Sequence, residues 1–440
     1  MNPRPTRVVA PAILALALSA CGIFGGDEET PIPGQRIPVL MFDRALKPDP
    51  KIADLSVALP PPAVNDGWPQ AGGSASHAMQ HLQLADLPER LWRRSVGEGS
   101  GSATRLLAQP VIADGKIIVM DSEATVAAFD TASGNELWST PVLTDDEEEE
   151  ELGGGVAYVA GRVYVTTGAG RVLALDAATG SQIWQQSVSG PMRAAPTVSD
   201  GRVFVVTVDN QLHALDAADG RKLWSHTGIA EMAALLGGAS PAVDSGVVVV
   251  PYSSGELFAL RADNGRPVWS DSLVAIQRVD AVSALADIKG HPVMERGRVY
   301  AVSHSGRAVA IDLRTGVRLW DAGISGIETP WLAGDFLYFV TTSSELACLS
   351  ARDGRVRWVQ RLPSYEDEEA KEGPISWTGP ILGGDRLVVA GSNGEVFSVS
   401  PYDGKIMGRI ELPDGVRIAP IVSNQTLYFL TVAGDLIAYR

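Results

Sequence analysis

The stretch Leu173–Trp184, LALDAATGSQIW, contains the pattern that decides the fold of this 440-residue chain. Two leucines flank Ala174, which is the alternation expected of a strand that packs on both of its faces. Asp176 and Gly180 then predict a turn, because Asp accepts hydrogen bonds from backbone amides two residues on and Gly tolerates a positive φ. A second strand begins near Trp184, whose large ring can cover apolar surface while its N–H finds an acceptor. The stretch is therefore a strand, a tight turn and the start of another strand.

The same pattern recurs along the chain at a spacing of about 44 residues. Seven copies end in tryptophan, at Trp92, Trp138, Trp184, Trp224, Trp269, Trp320 and Trp358. An eighth copy, GKIMG, has Gly408 where the tryptophan is expected. Each unit also has a short apolar strand that follows a proline, or Val156 in one unit. These prolines are Pro110, Pro196, Pro241, Pro292, Pro330, Pro380 and Pro420.

Repeats of this length with four short strands each are typical of a β-propeller. We therefore predict an all-β protein with eight four-stranded blades. The first tryptophan segment, RLWRRSV, precedes the first proline strand, and the chain ends at GDLIAYR without a fourth strand. We expect the N-terminal strand to complete the last blade, which closes the ring and leaves no open radial edge.

The N-terminus has the features of a lipoprotein signal peptide, predicted over residues 1–20. A basic start and an apolar run of about 11 residues, too short to span a bilayer, lead to LSAC. This ending predicts lipidation of Cys21; the alternative is an ordinary signal peptide with a chance cysteine. Residues 21–62 are rich in Pro, Gly and acid and predict a flexible tether, and residues 63–440 form the predicted propeller.

The composition narrows the possible partners. The formal net charge is -16, and such a surface repels phosphate backbones, which argues against nucleic acid as a partner. The chain has two cysteines, so lipid on Cys21 would leave Cys348 without a disulfide partner. Cys348 lies in an apolar strand, where we expect a buried, inert thiol.

The sequence offers no catalytic residue, cofactor site or metal site that we would predict. It lacks a nucleophile elbow, a phosphate-binding loop and a dinucleotide fingerprint. His77 and His81 are four residues apart, but no third ligand is evident. The acid runs Thr144–Glu151 and Tyr365–Gly373 read as solvated loops; the alternative is a docking patch for a basic partner or a weak cation site.

Two neighbouring connections between blades are long and apolar. One lies between Trp224 and Pro241, and the other between Trp269 and Pro292. Because connections of this kind emerge on one face of a propeller, the pair predicts a surface for a protein partner. The alternative is that both loops fold back over their own blades.

The repeats resemble the PQQ-like propeller superfamily. Together with the lipobox, the length and the missing catalytic groups, the sequence is similar to the BamB family of outer-membrane lipoproteins. This resemblance implies a non-catalytic scaffold, a monomer within a hetero-complex, held by lipid at the periplasmic face of the outer membrane. It further implies binding to the POTRA domains of BamA and a role in delivering unfolded outer-membrane proteins for insertion. Two other readings stay open: a periplasmic PQQ-dependent dehydrogenase-like enzyme, and a sensor or cell-wall-binding propeller.

The resemblance also implies which residues contact BamA. Matched on the following prolines, they fall in Ala233–Gly238 and Asp287–Lys289. The predicted set is Met232, Ala233, Leu235, Leu236, Gly237, Arg278, Asp287 and Lys289. The family often has Arg where this chain has Leu236, and an acid where this chain has Lys289. The resemblance therefore supports the hydrophobic part of such a contact more than its salt bridges.

Overall fold

A computed structural model describes residues 46–85, 89–143, 153–231, 233–275 and 285–440. These ranges belong to one compact unit, Leu46–Arg440, which contains eight four-stranded antiparallel sheets. The sheets form an eight-bladed β-propeller, so the predicted fold class is confirmed. Within the described ranges no helix is both long and apolar enough to cross a membrane; the helical element there is a 3-10 turn at Pro50–Ile52.

Each blade runs from a buried inner strand to an exposed outer strand. Blade 1 contains β2 (Val111–Ala113), β3 (Lys116–Met120), β4 (Thr125–Asp130) and β5 (Glu136–Pro141). Blade 2 contains β6 (Gly154–Val159), β7 (Arg162–Thr167), β8 (Arg171–Asp176) and β9 (Gln182–Ser187). Blade 3 contains β10 (Thr197–Ser199), β11 (Arg202–Val206), β12 (Gln211–Asp216) and β13 (Lys222–Thr227). Blade 4 contains β14 (Ala242–Asp244), β15 (Val247–Pro251), β16 (Glu256–Arg261) and β17 (Pro267–Ser272).

The second half of the ring continues the same order. Blade 5 contains β18 (Val293–Glu295), β19 (Arg298–Ser303), β20 (Arg307–Asp312) and β21 (Arg318–Ala322). Blade 6 contains β22 (Trp331–Ala333), β23 (Phe336–Val340), β24 (Glu345–Ser350) and β25 (Val356–Arg361), and a hairpin of β26 (Tyr365–Asp367) and β27 (Glu372–Pro374) follows it. Blade 7 contains β28 (Trp377–Gly383), β29 (Arg386–Gly391), β30 (Glu395–Val399) and β31 (Ile406–Glu411). Blade 8 contains β32 (Ile421–Ser423), β33 (Thr426–Leu430), β34 (Asp435–Tyr439) and, from the other end of the chain, β1 (Arg90–Ser95).

The last blade closes the ring in the predicted way. Strand β1 pairs antiparallel with β34, with Trp92 opposite Ala438 and Arg93 opposite Ile437. The N-terminal strand is therefore the outer strand of blade 8, and the two ends of the propeller are joined by a full strand ladder.

The hydrophobic core lies between the blades. In β8, Leu173 and Leu175 pack against blade 1, whereas Ala174 faces blade 3. All three side chains are buried. Large residues on one face of the strand and a small one on the other let successive sheets approach closely. The core therefore consists of apolar layers, one between each pair of neighbouring blades.

In blades 1 to 7 the turn before the outer strand, here called the outer turn, lies against the tryptophan of the preceding blade. In blade 2 the carboxylate of Asp176 accepts hydrogen bonds from the backbone of Ala178 and Thr179, each at 3.0 Å. The indole of Trp184 then reaches the outer turn of blade 3, where its Nε1 donates to the carbonyl of Ala217 at 3.2 Å. Equivalent bonds join Trp138 to Ala177, Trp224 to Ala262, Trp269 to Leu313, Trp320 to Ala351 and Trp358 to Pro401. We call this contact the tryptophan clasp.

Residues 63–84, here called the inner segment, run once around the centre of the ring. They touch every blade in order, from blade 8 through blades 1 to 7. The contacts are Asn65 with Asn424, Trp68 with Ile112, Pro69 with Tyr158, Gln70 with Val198, Ala75 with Val243, Ser76 with Met294, Gln80 with Trp331 and Leu82 with Leu382. A short bridge between Ala63 and Leu82 completes the circle. The inner segment therefore forms a floor across the central channel.

The residues just before the inner segment lie against blade 6. The backbone N–H of Asp49 donates to the carbonyl of Val356 at 2.8 Å, and Arg357 donates to the carbonyl of Leu55 at 2.7 Å. These contacts fall within the range 21–62 that the sequence analysis assigns to a tether, of which the structure describes residues 46–62.

Candidate functional site

The two long connections lie side by side on one face of the ring, between blades 3 and 4 and between blades 4 and 5. The structure describes residues 228–231 and 233–241 of the first and residues 273–275 and 285–292 of the second. Met232 and Arg278, two of the predicted contact residues, lie outside the described residues, as do Cys21 and the acid run 144–151.

A hydrogen bond joins the two connections. The backbone N–H of Leu235 donates to Oδ2 of Asp287 at 2.8 Å. Asp287 is 6% exposed, and this burial raises the pKa of its carboxyl group, while the N–H of Leu235 lowers that pKa. The backbone carbonyl of Asp287 also accepts from the N–H of His304 at 2.9 Å. Asp287 thus fixes the position of the first loop on the second.

Beside this link, the predicted residues form one small surface. Leu236 is 38% exposed, Ala233 is exposed and Leu235 is half-buried. Gly237 has a φ of +97°, and a Cβ atom at this position would lie 3.1 Å from Cε of Lys289. The close approach of a glycine backbone to the lysine chain brings the apolar tip of the first loop next to a cation of the second. We call Ala233, Leu235, Leu236, Gly237 and Lys289 the loop surface.

Other apolar residues of the same connections point inward. Leu273 is fully buried and Ile288 is 3% exposed, and both belong to the core between blades 4 and 5. Of the described residues, some therefore fold back over their own blades and others remain at the surface. The alternative that the loops fold back over their own blades holds for Leu273 and Ile288. The partner surface stays a prediction.

The remaining candidate residues have structural surroundings. Nδ1 of His77 lies 2.7 Å from the carbonyl of Pro292, and Nδ1 of His81 lies 2.8 Å from the carbonyl of Pro60. In the described parts of the chain no three His, Cys, Asp or Glu side chains are grouped so that they could hold a metal ion. Cys348 is buried, and burial raises the pKa of its thiol. The acid run 365–373 forms the exposed hairpin of β26 and β27.

A cavity of about 370 Å³ occupies the centre of the ring, and sequence reasoning did not find it. Trp68 and His77 of the inner segment form its floor, and Leu236, Gly237 and Lys289 of the loop surface stand at its rim. Its lining comes from the starts of many blades, so no motif or fixed spacing in the sequence marks it. A cluster of cationic residues within the blade connections is the one signal that could have pointed to it.

A family model described as "outer membrane protein assembly factor BamB" matches residues 79–152 and 122–360. Curated proteins of the same description are similar over most of the chain. The protein of Moranella endobia is 25% identical over 79% of this chain and 89% of its own length. The protein of Salmonella typhimurium is 28% identical over 80% and 88%, and that of Escherichia coli K12 is 27% identical over 77% and 86%.

Solved structures share the fold. The crystal structure of BamB from Moraxella catarrhalis superposes with a TM-score of 0.69 at 20% identity, covering 80% of this chain and all of that one. A quinohemoprotein alcohol dehydrogenase from Comamonas testosteroni superposes with a TM-score of 0.66 at 14% identity, covering 86% of this chain and 81% of that one. The propeller is thus common to assembly factors and to enzymes, and the fold alone does not separate the two.

Proposed function

Because this chain belongs to the family of the outer membrane protein assembly factor BamB, we propose that it is a non-catalytic scaffold that binds the POTRA domains of BamA. In this role it helps to deliver β-barrel proteins for insertion into the outer membrane. Lipid on Cys21 holds it at the periplasmic face, and it acts as one copy within a hetero-complex.

The loop surface is the feature that supports this proposal best. The hydrogen bond between Leu235 and Asp287 fixes the two connections to each other before any partner arrives. A preorganised apolar surface loses little conformational entropy on binding, so more of the contact energy appears as affinity. Leu236 at 38% exposure is its most prominent apolar side chain.

The charges of the loop surface set the kind of partner surface that fits. Asp287 is buried and already accepts a hydrogen bond, so Lys289 is the charge that the loop surface presents. We expect the partner to place apolar residues on Leu236 and a carboxylate near Lys289. A charge at the rim of an interface affects the rate of association more than the affinity, so the apolar contact should dominate the affinity.

One substitution tests the proposal. Leu236→Asp places a charge in the centre of the apolar contact, where its desolvation is unfavourable. We expect recovery of BamA with the tagged full-length protein from detergent-solubilised outer membranes to fall by roughly tenfold or more. Immunoblotting for BamA measures this recovery, and the thermal unfolding midpoint checks that the variant is folded.

The matched control is Val317→Asp. Val317 is 61% exposed in the outer turn of blade 5, on the opposite face of the ring, and takes the same charge. We expect this variant to recover BamA as well as the unaltered protein does. Full recovery of BamA by a folded Leu236→Asp protein would refute the assignment of the loop surface.

A further inference from the structure

The outer strand of blade 7 exposes more apolar surface than the other outer strands do. All six residues of β31 are exposed, and its large apolar residues Ile406, Met407 and Ile410 are 44%, 61% and 37% exposed. Each of the other seven outer strands has at most one large apolar residue exposed to this degree. Exposed apolar residues that are concentrated in one place indicate an interaction surface.

The outer edge of β31 is open to a further strand. On its inner side β31 pairs with β30, and among the described residues no strand pairs with its outer side. The ladder with β30 is irregular at Met407 and regular from Gly408 to Glu411. This regular part therefore presents a row of backbone N–H and C=O groups along which another strand can add.

The residues of this regular part are complementary to themselves. Arg409 and Glu411 carry opposite charges on the two sides of Ile410. When two copies of the strand run antiparallel with Ile410 opposite Ile410, each Arg409 lies opposite Glu411 of the other copy, and the two-fold axis makes both charge pairs form together. Opposite charges and apolar side chains that face each other across antiparallel strands stabilise the pair, whereas like charges destabilise it.

The other outer strands lack this pattern. At the three residues that correspond to Arg409, Ile410 and Glu411, the sequences are STP, QQS, SHT, SDS, DAG and VQR in blades 1 to 6, and RRS in blade 8. None of them places opposite charges on the two sides of an apolar residue. Pairing with a second copy in a defined register is therefore a property of blade 7.

Both charged side chains are accessible to a second copy. The side chain of Arg409 is 70% exposed, and its Nη1 donates to Oε1 of Glu395 on the neighbouring strand at 3.1 Å. A guanidinium group has five N–H donors, so Arg409 can keep this bond and also donate to another carboxylate. Glu411 is exposed and lies opposite Glu395 in the ladder, and among the described residues it has no ion-pair partner. A cation from a second copy would offset the repulsion between these two carboxylates.

We propose that, in the free protein, β31 pairs with β31 of a second copy of this chain, antiparallel and centred on Ile410. The two blades then form one continuous sheet of eight strands, and the exposed edge is covered. A strand of another protein would meet the same backbone groups, but the charge pattern selects the strand's own sequence. The paired strands are short, so the contact is weaker than that of an obligate dimer. The pairing belongs to the protein outside the hetero-complex, in which the proposed function places one copy.

Analytical ultracentrifugation of the purified full-length chain measures the pairing. Cys21→Ser removes the predicted lipid site, so that no detergent micelle brings two copies together. The whole chain has a net charge of -16, and about 0.15 M salt screens the repulsion between two copies beyond about 8 Å. We expect a reversible equilibrium between monomer and dimer, with a Kd on the order of 100 μM.

Exchange of the charges tests the register. Arg409→Glu places carboxylates opposite each other, and Glu411→Arg places guanidinium groups opposite each other, so each variant alone should dimerise at least about tenfold more weakly. An equimolar mixture of the two variants restores both charge pairs and should dimerise as the unaltered chain does. This recovery also shows that both variants are folded. Arg296→Glu is the matched control, because this side chain is 62% exposed in the first turn of blade 5, and it should leave the Kd unchanged.

A disulfide tests the position of the two-fold axis. Residues directly opposite each other in antiparallel strands have Cα atoms about 4.5–5.5 Å apart, a distance that a disulfide can span. Ile410→Cys should therefore form a covalent dimer on oxidation, seen on a non-reducing gel. Ile183→Cys is the control, because Ile183 is 44% exposed on the outer strand of blade 2. Cys348 is buried and Cys21 is replaced, so the introduced thiol is the one that reacts.

Three outcomes would overturn the proposal. The unaltered chain stays monomeric at about 200 μM, twice the expected Kd; the mixture of the two charge variants dimerises no better than either alone; or Ile410→Cys cross-links no more than Ile183→Cys. The first outcome would leave the edge of β31 to a strand of another protein. BamA is absent from all three experiments, so each of these outcomes leaves the proposed function standing.

Discussion

The outer tryptophan clasps and the inner segment both hold the blades together, but they do so in opposite ways. A clasp repeats from blade to blade with the same residue types and the same hydrogen bond. The inner segment meets every blade with a different one of its own residues, from the backbone of Trp68 at Ile112 in blade 1 to the backbone of Leu82 at Leu382 in blade 7. A clasp joins two blades, whereas the inner segment joins all eight.

This difference has an energetic consequence. Losing one clasp weakens one of eight blade interfaces, and the other interfaces keep the ring closed. Losing the inner segment uncovers the floor of the channel and leaves backbone groups on several inner strands without partners. Unpaired buried backbone groups are costly, so the inner segment should matter more than any clasp.

Replacing residues 65–84 with a Gly-Ser linker of equal length should have the largest effect. The change keeps β1 tethered but removes Trp68 at 1% exposure and Leu82 at 3%. Burial of one such Trp alone contributes about 3–5 kcal/mol, and a folded domain has a net stability of only about 5–15 kcal/mol. We expect the cooperative unfolding transition to be lost. Circular dichroism recorded during heating measures this.

The control is the same kind of replacement in residues 365–373, the exposed acidic hairpin. None of the side chains of residues 365–373 is buried, so cooperative unfolding should persist. If the variant with residues 65–84 replaced unfolded as cooperatively as this control, the inner segment would not contribute to the stability of the ring. The clasps would then be sufficient to hold the blades together.

Trp184→Ala should have the next largest effect. Trp184 is 8% exposed, and its Nε1 bond to Ala217 is lost with the ring. We expect a decrease of about 3–5 kcal/mol in the free energy of unfolding, measured by chemical denaturation. Ile183→Ala is the matched control, because Ile183 is on the same strand and 44% exposed, and should cost less than about 1 kcal/mol. Equal losses for the two variants would remove the special role of the clasp.

Gly220→Ala probes the same clasp from the other side. Gly220 has a φ of +78°, and a Cβ atom there would lie 2.6 Å from Cε3 of Trp184. Gly201, in the first turn of the same blade, has a φ of +72° but no atom within 4 Å of such a Cβ. Alanine at either position costs about 1 kcal/mol for the left-handed backbone. At Gly220 displacement of the indole should add about 1–3 kcal/mol. Denaturation of both variants measures the difference, and a similar loss at the two positions would contradict the close packing.

The contrast between the repeated clasps and the non-repeated inner segment also explains which features could be predicted from the sequence. The eight units, the closing strand and the hydrogen bonds of Asp176 were predictable, because each pattern occurs many times and its copies support one another. The path of residues 63–84 could not be predicted, because the residues that contact successive blades follow no repeated sequence pattern. The hydrogen bonds between Leu235 and Asp287 and between His77 and Pro292 join chain segments that only folding brings together. The loop surface was reached through family resemblance and loop length.

Gly408 marks the blade at which the series of tryptophan clasps ends. Its place on β31 corresponds to that of the tryptophans, and the next blade around the ring is blade 8. In blade 8 the outer strand β1 precedes the other three strands in the chain, so it does not follow β34 through an outer turn. Among the described residues, a tryptophan at position 408 would therefore meet no outer turn, and a Cβ atom there would have no described atom within 4 Å.

Gly408→Trp should therefore have the smallest effect of the series. In the sequence Gly408 looks like a degraded copy of the repeat, but in the described part of the chain blade 8 offers no outer turn for a tryptophan to contact. We expect the free energy of unfolding to change by no more than about 0.5 kcal/mol, as for other surface substitutions. Chemical denaturation beside Trp184→Ala gives the comparison directly. If Gly408→Trp stabilised the protein by about 3 kcal/mol, the size of a full clasp, the seam between blades 7 and 8 would contain an acceptor surface equivalent to an outer turn.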